Sequence, residues 1–94
     1  MAHDSIDIRH DSAGHRFTTT VDGLDGYVEY APSNGAITIT HTVVPDAIGG
    51  RGIAGQLVKA ALDHAQANGL KVVPRCSYAV AYMDKHPEYA GLRG

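Results

Sequence analysis

The spacing of apolar residues changes at Pro45, and this change constrains the fold more than any other feature. In residues 36–43, threonines occupy every second position between mainly apolar residues, the period of a half-buried strand. Between residues 53 and 65, apolar side chains instead recur every three or four positions, which indicates one buried face of a helix. A glycine-rich loop separates the two patterns. The chain therefore divides into a strand-rich half and a helix-rich half.

Short segments rich in β-branched and aromatic residues precede Pro45. They predict strands at residues 6–10, 16–21 and 26–30, in addition to the strand at 36–43. Turn-forming residues separate these segments. Among them Ser33-Asn34-Gly35 is a hairpin signal, because Asn and Gly tolerate a positive φ. Strands joined by such short turns pair with their chain neighbours, which predicts an antiparallel meander.

The second half predicts a helix, a strand and a shorter helix. The first helix is expected to begin near Gly52 and to stop at Asn68-Gly69. Residues 70–73 form a short apolar run suited to a buried strand, and residues 77–85 predict the second helix. A strand, helix and strand in this order form a βαβ unit, which places residues 70–73 parallel to residues 37–43. The predicted fold class is α+β, with a mixed, mainly antiparallel sheet, one βαβ unit and two helices.

Length and composition limit the classes of protein and partner that fit. A chain of 94 residues allows one domain, expected over residues 1–94. The single cysteine, Cys76, cannot form an internal disulfide, and no signal peptide is recognised, so a cytoplasmic location is expected. A net charge of -2 without a basic stripe argues against nucleic acid, and no apolar run suits a membrane span. The scattered histidines lack metal-ligand spacing, so no metal site is expected.

The loop before the long helix has the composition of an anion site. Its small residues allow a ligand to approach the backbone closely, and the first helical turn leaves N–H groups free. The helix dipole and the guanidinium of Arg51 add positive charge, which suits a phosphate or a pyrophosphate. A plain tight turn is the alternative. The loop and first-turn residues are Gly49, Gly50, Arg51, Gly52, Ile53, Ala54 and Gly55.

Two common phosphate-binding motifs fit this loop poorly. A P-loop requires Gly-Lys-Ser/Thr after the glycines, whereas Ile53-Ala54 follows Gly52 here. A dinucleotide fingerprint belongs near the start of a larger parallel sheet, for which this chain is too short. Both motifs are therefore disfavoured.

The segment from Val44-Pro45 to Ala54 resembles the acetyl-coenzyme A (acetyl-CoA) signature of the GNAT superfamily of N-acetyltransferases, Gln/Arg-x-x-Gly-x-Gly/Ala. Gly52 and Ala54 match its last two positions, whereas Gly49 stands at the first, where the family has Gln or Arg. Ordered motifs also resemble the minimal, single-domain branch of that superfamily. They are His41-Thr42, Val44-Pro45, residues 50–53, residues 72–76 and residues 86–89.

The resemblance implies a GNAT-like fold, with acetyl-CoA as co-substrate in a splay between residues 37–43 and 70–73. Its pantetheine arm would pair with the backbone near Thr42, Val43 and Val44. Its pyrophosphate would lie on the loop and first helical turn, at Gly49, Gly50, Arg51, Gly52, Ile53, Ala54 and Gly55. The acetyl group would then point toward the strand ends.

Two residues at those strand ends are the candidate catalytic groups. Cys76 is expected to accept the acetyl group or to protonate the leaving thiolate, and an inert buried cysteine is the alternative. His41 is expected to be the base for the amine, since imidazole titrates near neutral pH. It is predicted to share a strand face with Ile37 and Ile39, so a core histidine is the alternative. Tyr82 is a weaker candidate, because Met83 stands where larger GNAT enzymes carry a tyrosine acid.

The hypothesis from the sequence is an acetyl-CoA-dependent N-acetyltransferase. A backbone N–H near Val43 would stabilise the oxyanion. The acceptor is an amine, either a small molecule or a peptide, and the sequence does not indicate which. A coenzyme-A-binding module without efficient catalysis is one alternative, and a protein-interaction domain in which the glycine loop is only a turn is another. The oligomeric state stays open.

Overall fold

The computed structural model describes residues 6–49 and 52–94. Within these residues, five strands form one sheet in chain order. The strands are β1 (Arg9–Asp11), β2 (Arg16–Val21), β3 (Leu24–Ser33), β4 (Ala36–Val43) and β5 (Lys71–Pro74). The first four pair antiparallel, and β5 pairs parallel to β4. The helices are α1 (Ile53–Ala67) and α2 (Ser77–Lys85), with short 3-10 segments at Asp46–Ile48 and Pro87–Leu92.

The α+β class, the mainly antiparallel sheet and the parallel βαβ unit are confirmed. The strands predicted at residues 16–21 and 36–43 have the expected bounds. β3 is longer than predicted and covers Leu24–Ser33, because tight turns at both of its ends let pairing start at once. The first strand is Arg9–Asp11 rather than residues 6–10, and Ile6 packs against the core ahead of it.

One face of the sheet carries the core. α1 buries six apolar side chains, and α2 adds Ala79 and Met83 to the same cluster. The six are Ile53, Leu57, Val58, Ala61, Leu62 and Ala65. They pack on strand residues such as Val28 and Ile39, both fully buried. Because helices lie on this face alone in the described part of the chain, the opposite sheet face is accessible, as is common for antiparallel sheets.

We call the opposite side of the sheet the open face. It includes Arg16, Thr18, Tyr27, Glu29 and His41. They alternate with the core residues Phe17 and Val28 along their strands, and all are exposed or half-buried. Their partners across the strand pairs lie on the same face.

A β-bulge at Thr40 changes which β4 side chains face the core. Tyr30 pairs with Ile39 and Glu29 pairs with His41, so Thr40 is the extra residue. The extra residue reverses the alternation, and Thr42 rather than His41 returns to the core side. The prediction that His41 shares a face with Ile37 and Ile39 is therefore wrong. Its side chain is on the open face and is 67% exposed.

Candidate active site

The two parallel strands separate at the middle of β4. Their last aligned pair is Ile39 with Pro74, and the backbone N–H groups of Arg75 and Cys76 both donate to Ile39 O at 3.0 Å. The chain then turns into α2, whereas β4 continues to Val43. Residues 40–43 thus lack a strand neighbour on the β5 side, and a cleft opens between them and the start of α2. This separation of the strands matches the splay that the family resemblance implies.

Cys76 and Thr42 meet across this cleft. The Cys76 thiol donates to Thr42 Oγ1 over 3.5 Å, and the pair is partly buried. The contact depends on the bulge, because the bulge turns Thr42 toward the side of the sheet that carries α2. The structure therefore brings together two of the residues singled out in the sequence.

Cys76 also occupies the N-cap position of α2, with φ -75° and ψ 133°. Burial of the sulfur acts to raise the pKa of the thiol. The Thr42 hydroxyl and the backbone N–H groups of Ala79, Tyr78 and Thr42 favour the thiolate and outweigh burial, so the pKa of Cys76 lies below its usual value. As a neutral thiol Cys76 makes no side-chain capping bond, but its thiolate gains from the exposed N–H groups of the helix start. Cys76 is thus more acidic than an ordinary cysteine.

His41 lies on the other side of the same strand. Its Nδ1 is 3.0 Å from Glu29 Oε1, and Thr40 Oγ1 also donates to Glu29. Arg16 approaches the second oxygen of Glu29 at 3.5 Å and lies over the Tyr27 ring at 4.5 Å from its centroid. The structure does not bring His41 and Cys76 together, because consecutive strand residues point to opposite faces and Cys76 contacts Thr42.

The first turn of α1 faces the same end of the sheet. Gly52 is its N-cap at φ 75°, the left-handed region that glycine adopts without strain. The backbone N–H groups of Ile53, Ala54 and Gly55 have no carbonyl four residues back within the helix, and the first turn holds no acidic residue. The Ile53 side chain is buried in the core, so only its backbone is available to a ligand. This turn has the polarity that an anionic group needs.

Gly49, Val43 and Val44 differ in how far they are available to a ligand. Gly49 ends a 3-10 turn, and its N–H donates to Asp46 O at 3.1 Å, so it is already bonded. Gly50 and Arg51 lie outside the described residues. Val43 is 40% exposed and Val44 is partly buried against the core.

Two tyrosines of α2 border the first turn of α1. A Cβ atom placed on Gly55 would lie 3.4 Å from Tyr78 Oη and 3.6 Å from Tyr82 Cε2. Tyr78 is 41% exposed, and its proximity to this turn was not predicted from the sequence. The four-residue spacing of Tyr78, Tyr82 and His86 along a predicted helix was the signal that could have found it. Burial raises the pKa of Tyr82.

Two further observations concern metals and membranes. Among residues 6–49 and 52–94, no group of three or more His, Cys, Asp or Glu side chains is arranged to hold a metal ion. Neither α1 nor α2 has the length and apolar character needed to cross a membrane.

Comparison with known proteins identifies the family. Residues 16–92 match the family model described as GCN5-related N-acetyl-transferase. Protein NATD1 from Gallus gallus is 36% identical over 86 residues, which cover 87% of this chain and 77% of that protein. Protein NATD1 from Homo sapiens is also 36% identical over 86 residues, with 87% and 75% covered.

A solved structure supports the same assignment. It is the solution structure of a GCN5-like protein from Staphylococcus aureus, described as a candidate N-acetyltransferase. The two folds align with a TM-score of 0.73 at 30% identity, covering 94% of this chain and 87% of that chain. This similarity and the family match cover both the sheet and the two helices. The chain therefore belongs to the GCN5-related N-acetyltransferase family.

Proposed function

We propose that this chain is an acetyl-CoA-dependent N-acetyltransferase that acetylates an amine. The observation that carries the proposal is the cleft between β4 and the start of α2. The Cys76–Thr42 pair joins its two sides, and the open first turn of α1 lies at the same end of the sheet. A plain turn between strand and helix requires none of these features to coincide. Family membership supports the reaction class.

The residues present fit acetyl-CoA as a substrate. The diphosphate would accept hydrogen bonds from the N–H groups of Ile53, Ala54 and Gly55, where the helix dipole adds positive potential. The pantetheine arm would pair with the free edge of β4 near Thr42, Val43 and Val44, in place of a strand neighbour. The thioester would then lie in the cleft beside Cys76.

The transfer itself needs a base for the amine and a destination for the leaving sulfur. The amine nitrogen attacks the thioester carbonyl carbon, the C–S bond breaks, and coenzyme A leaves as a thiolate. Cys76 supplies a proton to that thiolate, and its lowered pKa makes it a competent acid. The same lowered pKa also suits a covalent route, in which the Cys76 sulfur first takes the acetyl group and then passes it to the amine.

His41 is the proposed base, acting from the open face. A carboxylate only accepts hydrogen bonds, so the bond to Glu29 places a proton on His41 Nδ1 and leaves Nε2 as the acceptor. The amine therefore approaches from the open face, and the acyl donor lies on the side of Cys76. Both bonds change at one carbonyl carbon, which would therefore lie level with the free edge of β4, between the amine on the open-face side and Cys76 on the other side.

The test combines calorimetry with turnover. Wild type is expected to bind acetyl-CoA and to release coenzyme A when offered amines from a panel of small amines and lysine peptides. Cys76→Ala and His41→Asn are each expected to lower turnover by about 10²-fold or more while changing acetyl-CoA affinity little. His15→Asn is the control, since His15 has φ 54°, which asparagine tolerates, and lies outside the cleft. An acetyl adduct on Cys76 in quenched samples would select the covalent route.

One observation favours a second candidate function, a coenzyme-A-binding module with little catalysis. His41 and Cys76 are on opposite sheet faces, so no direct proton relay joins them. Tight coenzyme A binding with equal, negligible turnover in wild type and Cys76→Ala would select the module. If calorimetry detects no binding of acetyl-CoA by wild type, both functions are excluded.

A further inference from the structure

Two side chains form an exposed apolar row on the open face at the end of β4. Val43 is 40% exposed, an unusual position for a large hydrophobic side chain in the described part of the sheet. Its Cα partner in β3 is Tyr27, which is half-buried on the same face. The Cβ atoms of residues directly opposite each other are about 5 Å apart, so the two side chains form one surface. The proposed reaction uses neither side chain.

The next row of the same face is polar. Glu29 is the Cα partner of His41, and the two lie two residues along their strands from Tyr27 and Val43. A strand rises about 3.4 Å per residue, so the polar row is about 7 Å from the apolar row. We call these four side chains the acceptor patch. It is apolar at one end and polar at the other.

One oxygen of Glu29 has room for a further hydrogen bond. Oε1 accepts from His41 Nδ1 at 3.0 Å and from Thr40 Oγ1 at 3.4 Å. Among the described residues, Oε2 is approached only by Arg16 Nη2, at 3.5 Å, which is long for a hydrogen bond. A carboxylate oxygen has two lone pairs, and the Glu29 side chain is 35% exposed. Oε2 can therefore accept from the ammonium group of a ligand.

Arg16 approaches the patch from the side away from β4. Because β3 lies between β2 and β4, Arg16 flanks Glu29 and Tyr27 from the β2 side. Its guanidinium lies over the Tyr27 ring, 4.5 Å from the centroid, and its Nε is buried without a hydrogen-bond partner. The β4 side of the patch, where Val43 and His41 are exposed, stays accessible to a ligand.

We propose that the acceptor is a primary amine at the end of an unbranched alkyl stem, with the stem on Tyr27 and Val43 and the ammonium at Glu29 Oε2. The inference rests on the proposed function, because it takes the same reaction and the same base. Such a stem packs on apolar surface while its charged head stays in water. His41 Nε2 takes one proton from the ammonium, and the neutral amine then attacks the thioester. A lysine side chain and a free alkylamine share this chemistry.

The experiment compares n-pentylamine with ethylamine as acceptors at saturating acetyl-CoA. The two amines have nearly the same basicity, so the ratio of their kcat/KM values reports the contact made by the stem. Wild type is expected to prefer n-pentylamine by about tenfold, the range for three methylenes partly removed from water. Effects on acetyl-CoA binding and on the base are common to both amines and cancel in the ratio. A ratio near one in wild type would overturn the stem assignment.

Val43→Thr and Tyr27→Thr test the apolar row. Each places a β-branched residue in the strand and makes the surface under the stem more polar, so the ratio is expected to fall to about threefold. Val73→Thr is the matched control. Val73 is a half-buried valine of β5 that pairs with Thr38, on the part of β4 away from the patch, so its ratio should equal that of wild type. Wild-type ratios in both test variants would contradict the proposal.

Glu29→Gln tests the position of the ammonium independently. Loss of the charge is expected to raise the KM of both amines equally, by about three- to fivefold, the range for an exposed ion pair, and to keep their ratio. A fall in kcat with both KM values unchanged would show that Glu29 acts only through His41. That result would contradict the ammonium assignment.

A further comparison separates the two sources of the amine. The N-acetylated tripeptide amide Gly-Lys-Gly presents the same stem on a peptide. A kcat/KM well above that of n-pentylamine would identify a polypeptide lysine as the acceptor, and a value no higher would identify a free alkylamine. Both results agree with the acceptor patch, whereas values below that of ethylamine for both compounds contradict it.

The outcomes distinguish this inference from the proposed function. Acetyl transfer by wild type without any preference for stem length would overturn the acceptor patch and leave the acetyltransferase proposal standing. Absence of acetyl-CoA binding and of turnover in wild type would overturn both.

Discussion

Thr42 determines the chemistry of Cys76 more than any other side chain. Its hydroxyl is the bonded partner of the thiol at 3.5 Å, and its backbone N–H also favours the thiolate. The two N–H groups at the start of α2 act in the same direction, against the burial of the sulfur. The acidity of this cysteine is thus set by a residue on another element together with the backbone at the start of α2.

Thr42→Val tests this dependence directly. The substitution keeps the β-branched shape and removes the hydroxyl, so the pKa of the Cys76 thiol is expected to rise. The measurement is the rate of Cys76 alkylation by iodoacetamide against pH, whose inflection should move to higher pH. Thr38→Val, on the part of β4 that pairs with β5, is the control and should leave the inflection in place. An unmoved inflection in Thr42→Val would contradict the role assigned to the hydroxyl.

Hydrogen bonds among Tyr89, Asp63 and Lys59 connect two elements, the C-terminal 3-10 segment and α1. Tyr89 Oη donates to Asp63 Oδ1 at 2.7 Å, and Asp63 also pairs with Lys59. Burial and the Asp63 carboxylate raise the pKa of Tyr89 to about 12. The pKa of Asp63 is lowered. Burial acts against this shift, and the bonds from Lys59 and Tyr89 outweigh it. Neighbouring residues of the segment gave no indication of this contact.

Tyr89→Phe should destabilise the fold by about 1 kcal/mol at pH 7, since it leaves a carboxylate oxygen without its donor. Because the pKa of Tyr89 is raised in the folded state, the contribution is complete below the unfolded value of 10 and is lost as pH rises through about 12. Urea unfolding at pH 7 and pH 11 measures it, and the difference from wild type should shrink at the higher pH. Tyr27→Phe, on the open face, is the control. A difference that does not change with pH would contradict this account.

In the whole molecule, an aromatic cluster connects the edge strand β1 to β2, β3 and α1. The His10 ring stacks on Phe17 at 4.2 Å and meets the edge of His64 from α1 at 4.6 Å. His10 also bonds to the Tyr30 hydroxyl. Burial, followed by the neighbouring His64, lowers the pKa of His10, and Asp11 opposes this in part. The folded state thus favours the neutral form of the His10 imidazole.

This cluster predicts a loss of stability in mild acid. A histidine whose pKa is lowered by folding contributes stability above its unfolded value of about 6.5, and the contribution is lost as pH falls. The urea midpoint of wild type should therefore fall between pH 7.5 and pH 5.5. His10→Phe keeps the stacked ring and should reduce that fall, whereas His15→Asn should not. Equal slopes in wild type and His10→Phe would rule out His10 as the source.

The order and type of the elements follow from the sequence alone. The alternation of apolar residues and threonines predicts β4, and the three- and four-residue spacing of apolar side chains predicts α1. The order strand, helix, strand predicts that β5 is parallel to β4. Each of these signals depends on residues that are near one another in the chain. The family resemblance came from the same local motifs. The positions of Cys76 and the glycine turn at one end of the sheet were expected for that reason.

Tertiary structure alone decided which side chains meet. The bulge at Thr40 arises from pairing with β3, and it exchanged the faces of His41 and Thr42 that strict alternation predicts. The Tyr89–Asp63 bond and the neighbours of Gly55 likewise join residues far apart in the chain. Periodicity encodes which residues of one element share a face. Register and packing between elements depend on long-range pairing, which no single segment of the sequence contains.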